Sequence, residues 1–248
     1  MGARSVQIPT PDGVADAFVA QPDGDGPWPA VLFYMDAFGV REVLTDMART
    51  IADDGFVVLL PNLFYRSGTA PLFDTSGLAT PEGRREVFGS ARPMIAALTA
   101  EAVKGDAAAY LDFLAAEPSV KPGPVGVTGY CMGGRLAVRT AIAFPDRVGA
   151  VASFHAGGLV TDEPDSPHRQ VTGAGVEYYF AHAENDHSMT PANVTALNDA
   201  LDAAGVRFKS EIYEGTEHGF TMSDSDVYDP MSLERHWRNL LELFERRL

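Results

Sequence analysis

From Ala30 onward, short apolar runs alternate with segments of helical period, and this alternation restricts the possible folds more than any other feature of the chain. The runs are Ala30–Tyr34, Phe56–Leu60, Pro124–Thr128, Ala150–Phe154, Glu177–Ala181 and Phe208–Tyr213. Between or after them, Arg41–Asp54, Thr99–Ala116, Arg135–Phe144, Pro191–Ala204 and Met231–Arg247 read as helices. In Thr99–Ala116 the apolar positions are Val103, Ala107, Tyr110, Leu111 and Leu114, one face of a helix. Strands that are apolar along their length are buried on both sides, so the pattern predicts an α/β fold: a mostly parallel sheet with helices on both faces. Ahead of the alternation, Ser5–Ile8 and Ala15–Ala20 flank Pro11-Asp12-Gly13, a turn between two short strands. The Pro/Gly cluster Gln21–Pro29 is the nearest thing to a linker. Only about 20 residues precede it, too few for a domain, so residues 1–248 read as a single domain.

Charge narrows the partners. Asp and Glu total 34 against 19 Lys and Arg, a net charge of −15. Such a field repels a phosphate backbone or an anionic membrane surface, which leaves small molecules as the expected partners and a monomer or weak homo-oligomer as the expected state. The start of the chain lacks an apolar signal-peptide core, and Val6 stands where myristoylation requires Ser or Thr. No apolar stretch approaches a membrane span, and a cytoplasmic location is expected. A single cysteine excludes an internal disulfide and a cysteine-based zinc cluster. No cofactor or metal is expected.

That cysteine lies in Gly129-Tyr130-Cys131-Met132-Gly133-Gly134, directly after one predicted strand and before a helix. The context is that of the G-x-S-x-G nucleophile elbow, with sulfur for oxygen. A nucleophile at the tip of so sharp a turn has strained backbone angles, and side chains two residues away would collide with it, hence the glycines. The following helix aims its free N–H groups at the sulfur, favouring thiolate and a developing oxyanion. A nucleophile of this kind needs a base and an orienting acid, in the chain order nucleophile, acid, histidine. The strand Glu177–Ala181 leads to Glu184 and Asp186 as candidate acids, and the strand Phe208–Tyr213 leads to His218 as the base. His182, Glu184 and Asp186 offer a weaker metal-binding alternative. His155 and His168 have no evident partner, and His236 is expected to face solvent or neighbouring acids.

The elbow GYCMGGR, the segment FAHAENDH and the segment YEGTEHGF together resemble the dienelactone hydrolase family of α/β hydrolases, over almost the whole chain. The resemblance implies an eight-stranded α/β-hydrolase sheet and a triad of Cys131, His218 and Asp186. It implies an oxyanion hole from the N–H groups of Ala37 and Met132, and cleavage of an enol-lactone as the reaction. It also places an acid after the third strand, beside the resting thiol; that place holds Asp36 here, one methylene shorter than the family's usual glutamate. Family members bind the lactone carboxylate with arginines, one a few residues past the catalytic histidine. Met222 stands there in this chain, leaving Arg66, Arg84 and Arg85 as the candidates for substrate binding. The Gly- and Pro-containing stretch Ser67–Glu86 reads as a long loop able to cover the site. The leading expectation is a lactone or activated-ester hydrolase, carboxymethylenebutenolidase-like. Met222 favours the alternative of a carboxylesterase or thioesterase for neutral substrates. An alternative of another class is a redox-sensing thiol protein without hydrolase activity.

Overall fold

The computed structural model describes residues 2–172 and 175–248. The strands are β1 (Gly2–Thr10), β2 (Gly13–Gln21), β3 (Ala30–Tyr34), β4 (Val57–Pro61), β5 (Val125–Tyr130), β6 (Val148–Phe154), β7 (Glu177–Asn185) and β8 (Arg207–Glu217). They form an eight-stranded sheet in the order β1-β2-β4-β3-β5-β6-β7-β8. β1 and β2 are the antiparallel edge, and β2 meets β4 antiparallel; every other pairing is parallel. The helices are α1 (Glu42–Asp53), α2 (Pro81–Ala97), α3 (Ala100–Ala116), α4 (Met132–Ala143), α5 (Pro167–Gln170), α6 (Pro191–Ala203) and α7 (Pro230–Arg247). This is the α/β-hydrolase fold expected from the alternation and the resemblance.

The central strands β3, β4, β5 and β6 are buried at every position, as their unbroken apolar runs require. Glycines in β5 let helices close on both faces. A Cβ on Gly126 would strike Phe244 and Leu248 at the end of α7, while one on Gly129, on the opposite pleat, would fall on the Gly133 carbonyl of α4. From β3 the chain crosses through α1 to β4 on one side, then returns through α2 and α3 to β5 on the other. That reversal opens a crevice beyond the carboxyl ends of β3 and β5, where ligands bind in open α/β sheets.

Several elements differ from the sequence reading, among them the short helix α5, which has no counterpart in it. The stretch expected to be a loop through Glu86 becomes helical at Pro81, where Thr80 caps α2 by accepting a hydrogen bond from Gly83 N–H. Helix α4 begins at Met132, three residues before the predicted Arg135. Glycine disfavours helix, but Gly133 is required here, because a Cβ would collide with the Tyr34 and Met35 carbonyls at the end of β3. No helix among the described residues is long and apolar enough to cross a membrane.

Candidate active site

Cys131 sits between β5 and α4 with φ 56° and ψ −121°, a left-handed conformation that a non-glycine residue adopts only under constraint. The constraint is local. Its N–H donates to the Phe154 carbonyl at 3.0 Å, and its own carbonyl accepts from Gly134 N–H at 3.1 Å. The side chain is half-buried and borders a cavity of about 620 Å³ at the carboxyl edge of the sheet.

His218 follows β8 and borders the same cavity. Its Nδ1 lies 2.7 Å from Asp186 Oδ2, and Asp186, just past β7, is nearly sealed from solvent. Ser188 steadies the acid from the other side, donating from its N–H (2.8 Å) and its hydroxyl (2.6 Å) to Oδ1. Burial opposes the His218 imidazolium, but the Cys131 sulfur beside it and the hydrogen-bonded Asp186 carboxylate together raise its pKa well above the usual value. Burial likewise opposes the Asp186 carboxylate, and His218 with Ser188 more than offsets it, holding the acid down to about 2. Cys131, His218 and Asp186, predicted from separate segments, are thus brought to one wall. Ala37 and Met132 border the cavity as well, at the facing ends of β3 and α4 that Gly133 allows to touch.

Other expectations are redistributed. Asp36 borders the cavity, but both its oxygens are engaged elsewhere: Oδ1 accepts from Phe38 N–H at 2.9 Å and Arg41 Nη1 at 2.7 Å, and Oδ2 from Arg41 Nη2 at 2.9 Å. Arg41 also grips Asp224 at 2.6 and 3.2 Å, so Asp36 belongs to a buried strut between the β3–α1 and β8–α7 connections. Arg66 is placed away from the cavity lining. Asp12 and Asp106 hold it at 2.6 and 2.8 Å, over the ring of Tyr65. Arg84 and Arg85 do border the cavity from α2, each with a counter-ion, Asp226 and Glu82 respectively. Met222 is buried in the cavity wall.

The histidines also need correction. His236 is fully buried: it lies on the inner stripe of α7 with Leu240, Leu243 and Phe244, 2.7 Å from the Tyr130 hydroxyl, so it does not face solvent. His182 stacks on Phe180 and pairs with Ser210, while Glu184 accepts from Gly215 N–H, so these two do not converge with Asp186 on a metal. His168 pairs with Ser166.

His155, whose partner is not evident from the sequence, borders the cavity, edge-on to the His218 ring at 5.2 Å and 2.8 Å from Thr221 Oγ1. Its φ of 37° marks a tight bend after β6 that the sequence does not announce. Ser188, Arg41 and Arg135 likewise carry no motif that announces a place at the site. Arg135 does have a positional signal, since four residues past Cys131 is one turn along the same helical face.

Comparison with known proteins agrees with this architecture. The family model described as "Dienelactone hydrolase family" matches residues 15–248. A Synechocystis protein named "Putative carboxymethylenebutenolidase" is 28% identical over 98% of this chain and 96% of its own length. A protein of the same name from Escherichia coli K12 is 27% identical, covering 98% of this chain and 87% of its own. Among solved structures, one titled as a "Putative Dienelactone Hydrolase" from Klebsiella pneumoniae superposes with a TM-score of 0.82 at 22% identity, covering 98% of each chain. With a family match running from β2 to the last residue, the chain belongs to the dienelactone hydrolase family and is a hydrolase of that family.

Proposed function

We propose that this hydrolase opens an enol-lactone, or cleaves an activated ester, through a Cys131 nucleophile and an acyl-enzyme. The observation that carries the reading is the pairing at one cavity wall of a strained elbow cysteine with a histidine whose other nitrogen is held by a buried carboxylate. The Cys131 thiolate attacks the carbonyl carbon. The oxyanion that forms takes hydrogen bonds from the N–H groups of Ala37 and Met132, each such donor commonly worth about 3 kcal/mol in the transition state. Collapse breaks the ring C–O bond, the enolate leaves, and the His218 imidazolium supplies the proton it takes up. Neutral His218, oriented by Asp186, then removes a proton from water. The resulting hydroxide attacks the thioester, and the thiolate departs as the acid is released. A thiolate is itself a good leaving group, so collapse back to substrate competes unless the other leaving group is better. An enolate meets that condition and an amine does not, which argues against amide substrates.

Buried Met222 in the wall favours a second reading, an esterase for neutral compounds, with the same machinery. Turnover of a dienelactone by wild type and Cys131→Ala tests the chemistry. Loss of about 10³-fold or more in kcat/KM is expected, together with an acyl adduct on the Cys131 peptide of acid-quenched wild type. Equal turnover by the two proteins would overturn the nucleophile.

A further inference from the structure

Arg41, directly before α1, is nearly sealed from solvent, and no step of the reaction uses it. One edge of its guanidinium meets Asp36, Nη1 to Oδ1 at 2.7 Å and Nη2 to Oδ2 at 2.9 Å. The other meets Asp224, Nε to Oδ2 at 2.6 Å and Nη2 to Oδ1 at 3.2 Å. Burial opposes the cation, but Asp36 and then Asp224 outweigh it, so its pKa is raised. A planar fork held bidentately at both edges has one geometry open to it.

Each end of this bridge carries a piece of the active site. At one end Asp36 opens a tight turn: its Oδ1 accepts from Phe38 N–H at 2.9 Å and its carbonyl from Gly39 N–H at 3.3 Å, while Arg41 Nη1 takes the Gly39 carbonyl at 3.2 Å. These bonds use the N–H groups of Phe38 and Gly39 and leave that of Ala37 without an acceptor among the described residues, although Ala37 is buried in the cavity wall. A buried N–H of that kind is costly unless a ligand takes it. At the other end, successive turns tie Asp224 to His218: Phe220 N–H to the Glu217 carbonyl at 3.1 Å, Met222 N–H to Gly219 at 3.0 Å and Ser225 N–H to Met222 at 3.0 Å. Three strands separate β3 from β8, so sheet pairing does not join these two loops across the crevice, and the strut does.

We propose that Arg41 and Asp224 are positioning residues for the oxyanion hole: their bond across the crevice holds the Ala37 N–H at the place, relative to Cys131 and His218, where the tetrahedral oxyanion forms. The proposal rests on the hydrolase reading above and assigns to it residues that touch no substrate. A donor displaced by about 1 Å gives up much of its hold on the oxyanion. The thiolate, which the strut does not touch, keeps its reactivity. Loss of the strut therefore separates two properties that general damage to the site would lower together.

The test uses Asp224→Ala, which removes the partly exposed anchor and keeps the Asp36–Arg41 pair, and Asp224→Asn, which keeps one acceptor for the guanidinium. Three quantities are measured on each variant and on wild type: kcat/KM for a dienelactone, the rate of Cys131 alkylation by iodoacetamide, and the affinity for phenyl trifluoromethyl ketone. In alkylation the sulfur displaces iodide and no charge reaches an oxygen. With the ketone, a C–S bond forms as the carbonyl π pair moves to oxygen, placing an oxyanion in the hole without turnover. Asp224→Ala is expected to lose about tenfold in kcat/KM and in ketone affinity, with alkylation within about twofold of wild type and Asp224→Asn in between. Equal losses in all three, or an unchanged ketone affinity, would overturn the proposal. If wild type leaves the dienelactone intact while the ketone shows the selective loss, the hydrolase reading falls and the positioning role stands. If turnover depends on Cys131 but ketone affinity ignores Asp224, the reverse holds. A wild type that is alkylated but does not bind the ketone overturns both.

Discussion

Asp186 and His218 make opposite demands on pH. The acid is held near 2 against an unfolded value near 3.8, so the stability it contributes is present above about pH 4 and lost as pH falls through 2. The histidine's pKa is raised, so its contribution is present below about 6.5 and lost as pH rises through the higher folded value. The pair therefore stabilises the fold most between those limits. Asp186→Asn is expected to cost about 2 kcal/mol near pH 5 in urea unfolding and progressively less toward pH 2. A cost independent of pH would contradict the ion pair. At this scale the residues legible in the sequence were those announced by the chain around them: Cys131 by its glycines, His218 and Asp186 by their place just past strand ends. Arg41, His155 and Ser188 act through partners as distant as Asp224, Thr221 and His218, and no local pattern carries such pairings.

Elements were read well where burial shapes composition and poorly where it does not. The strands appear in their predicted places, with β7 and β8 extending four residues beyond the apolar runs that identified them. Helix α2 buries little beyond Val87 and Ala91 and contains Gly83, Gly89 and Pro93, so its apolar stripe is too thin to register. Its start was nonetheless written in Thr80-Pro81-Glu82, a capping residue, a first-turn proline and a first-turn acid. Two glycines, one at each kind of helix, separate packing from propensity. Gly133→Ala must push α4 off the end of β3, and a loss of about 1–3 kcal/mol is expected with a fall in kcat/KM, as the Ala37 and Met132 N–H groups move apart. Gly89→Ala meets nothing within 4 Å in the middle of α2 and is expected to gain about 0.5–1 kcal/mol. Urea midpoints of the two variants check both signs, and a stabilised Gly133→Ala would refute the close approach.

Taken whole, the molecule keeps three histidines buried and uncharged. Burial lowers His236 to about 3 and His182 to about 4, and carries His155 well below its usual value. Each folded pKa lies below the unfolded 6.5, so the unfolded chain binds the extra protons and stability falls as pH drops below about 6.5. Each histidine steepens that fall by about 1.4 kcal/mol per pH unit until its folded pKa is reached. His236→Gln, which keeps a partner for the Tyr130 hydroxyl, is expected to reduce the slope between pH 6 and 4 by one proton's worth. An unchanged slope would show that His236 protonates in the folded state. The mostly parallel sheet and its two faces of helices could be inferred from hydrophobic periodicity, because packing on both faces forces it; the crevice at its carboxyl edge depends on a strand order that periodicity does not carry. The distribution of arginines among carboxylates could not, because an excess of 15 acids offers each cation several partners and only the folded chain selects among them.

The elbow holds the chain's single sulfhydryl, and that has a practical side. A chromogenic thiol reagent applied to the folded protein reads one position only, so its stoichiometry counts intact elbows and its rate reports how open the crevice is. Protection by a bound ligand can then be followed without any turnover. Oxidation has the same address: with no second thiol in the chain to form an internal disulfide, a sulfenic acid at Cys131 has no intramolecular route back to the thiol, and peroxide damage would register as lost titratable sulfur.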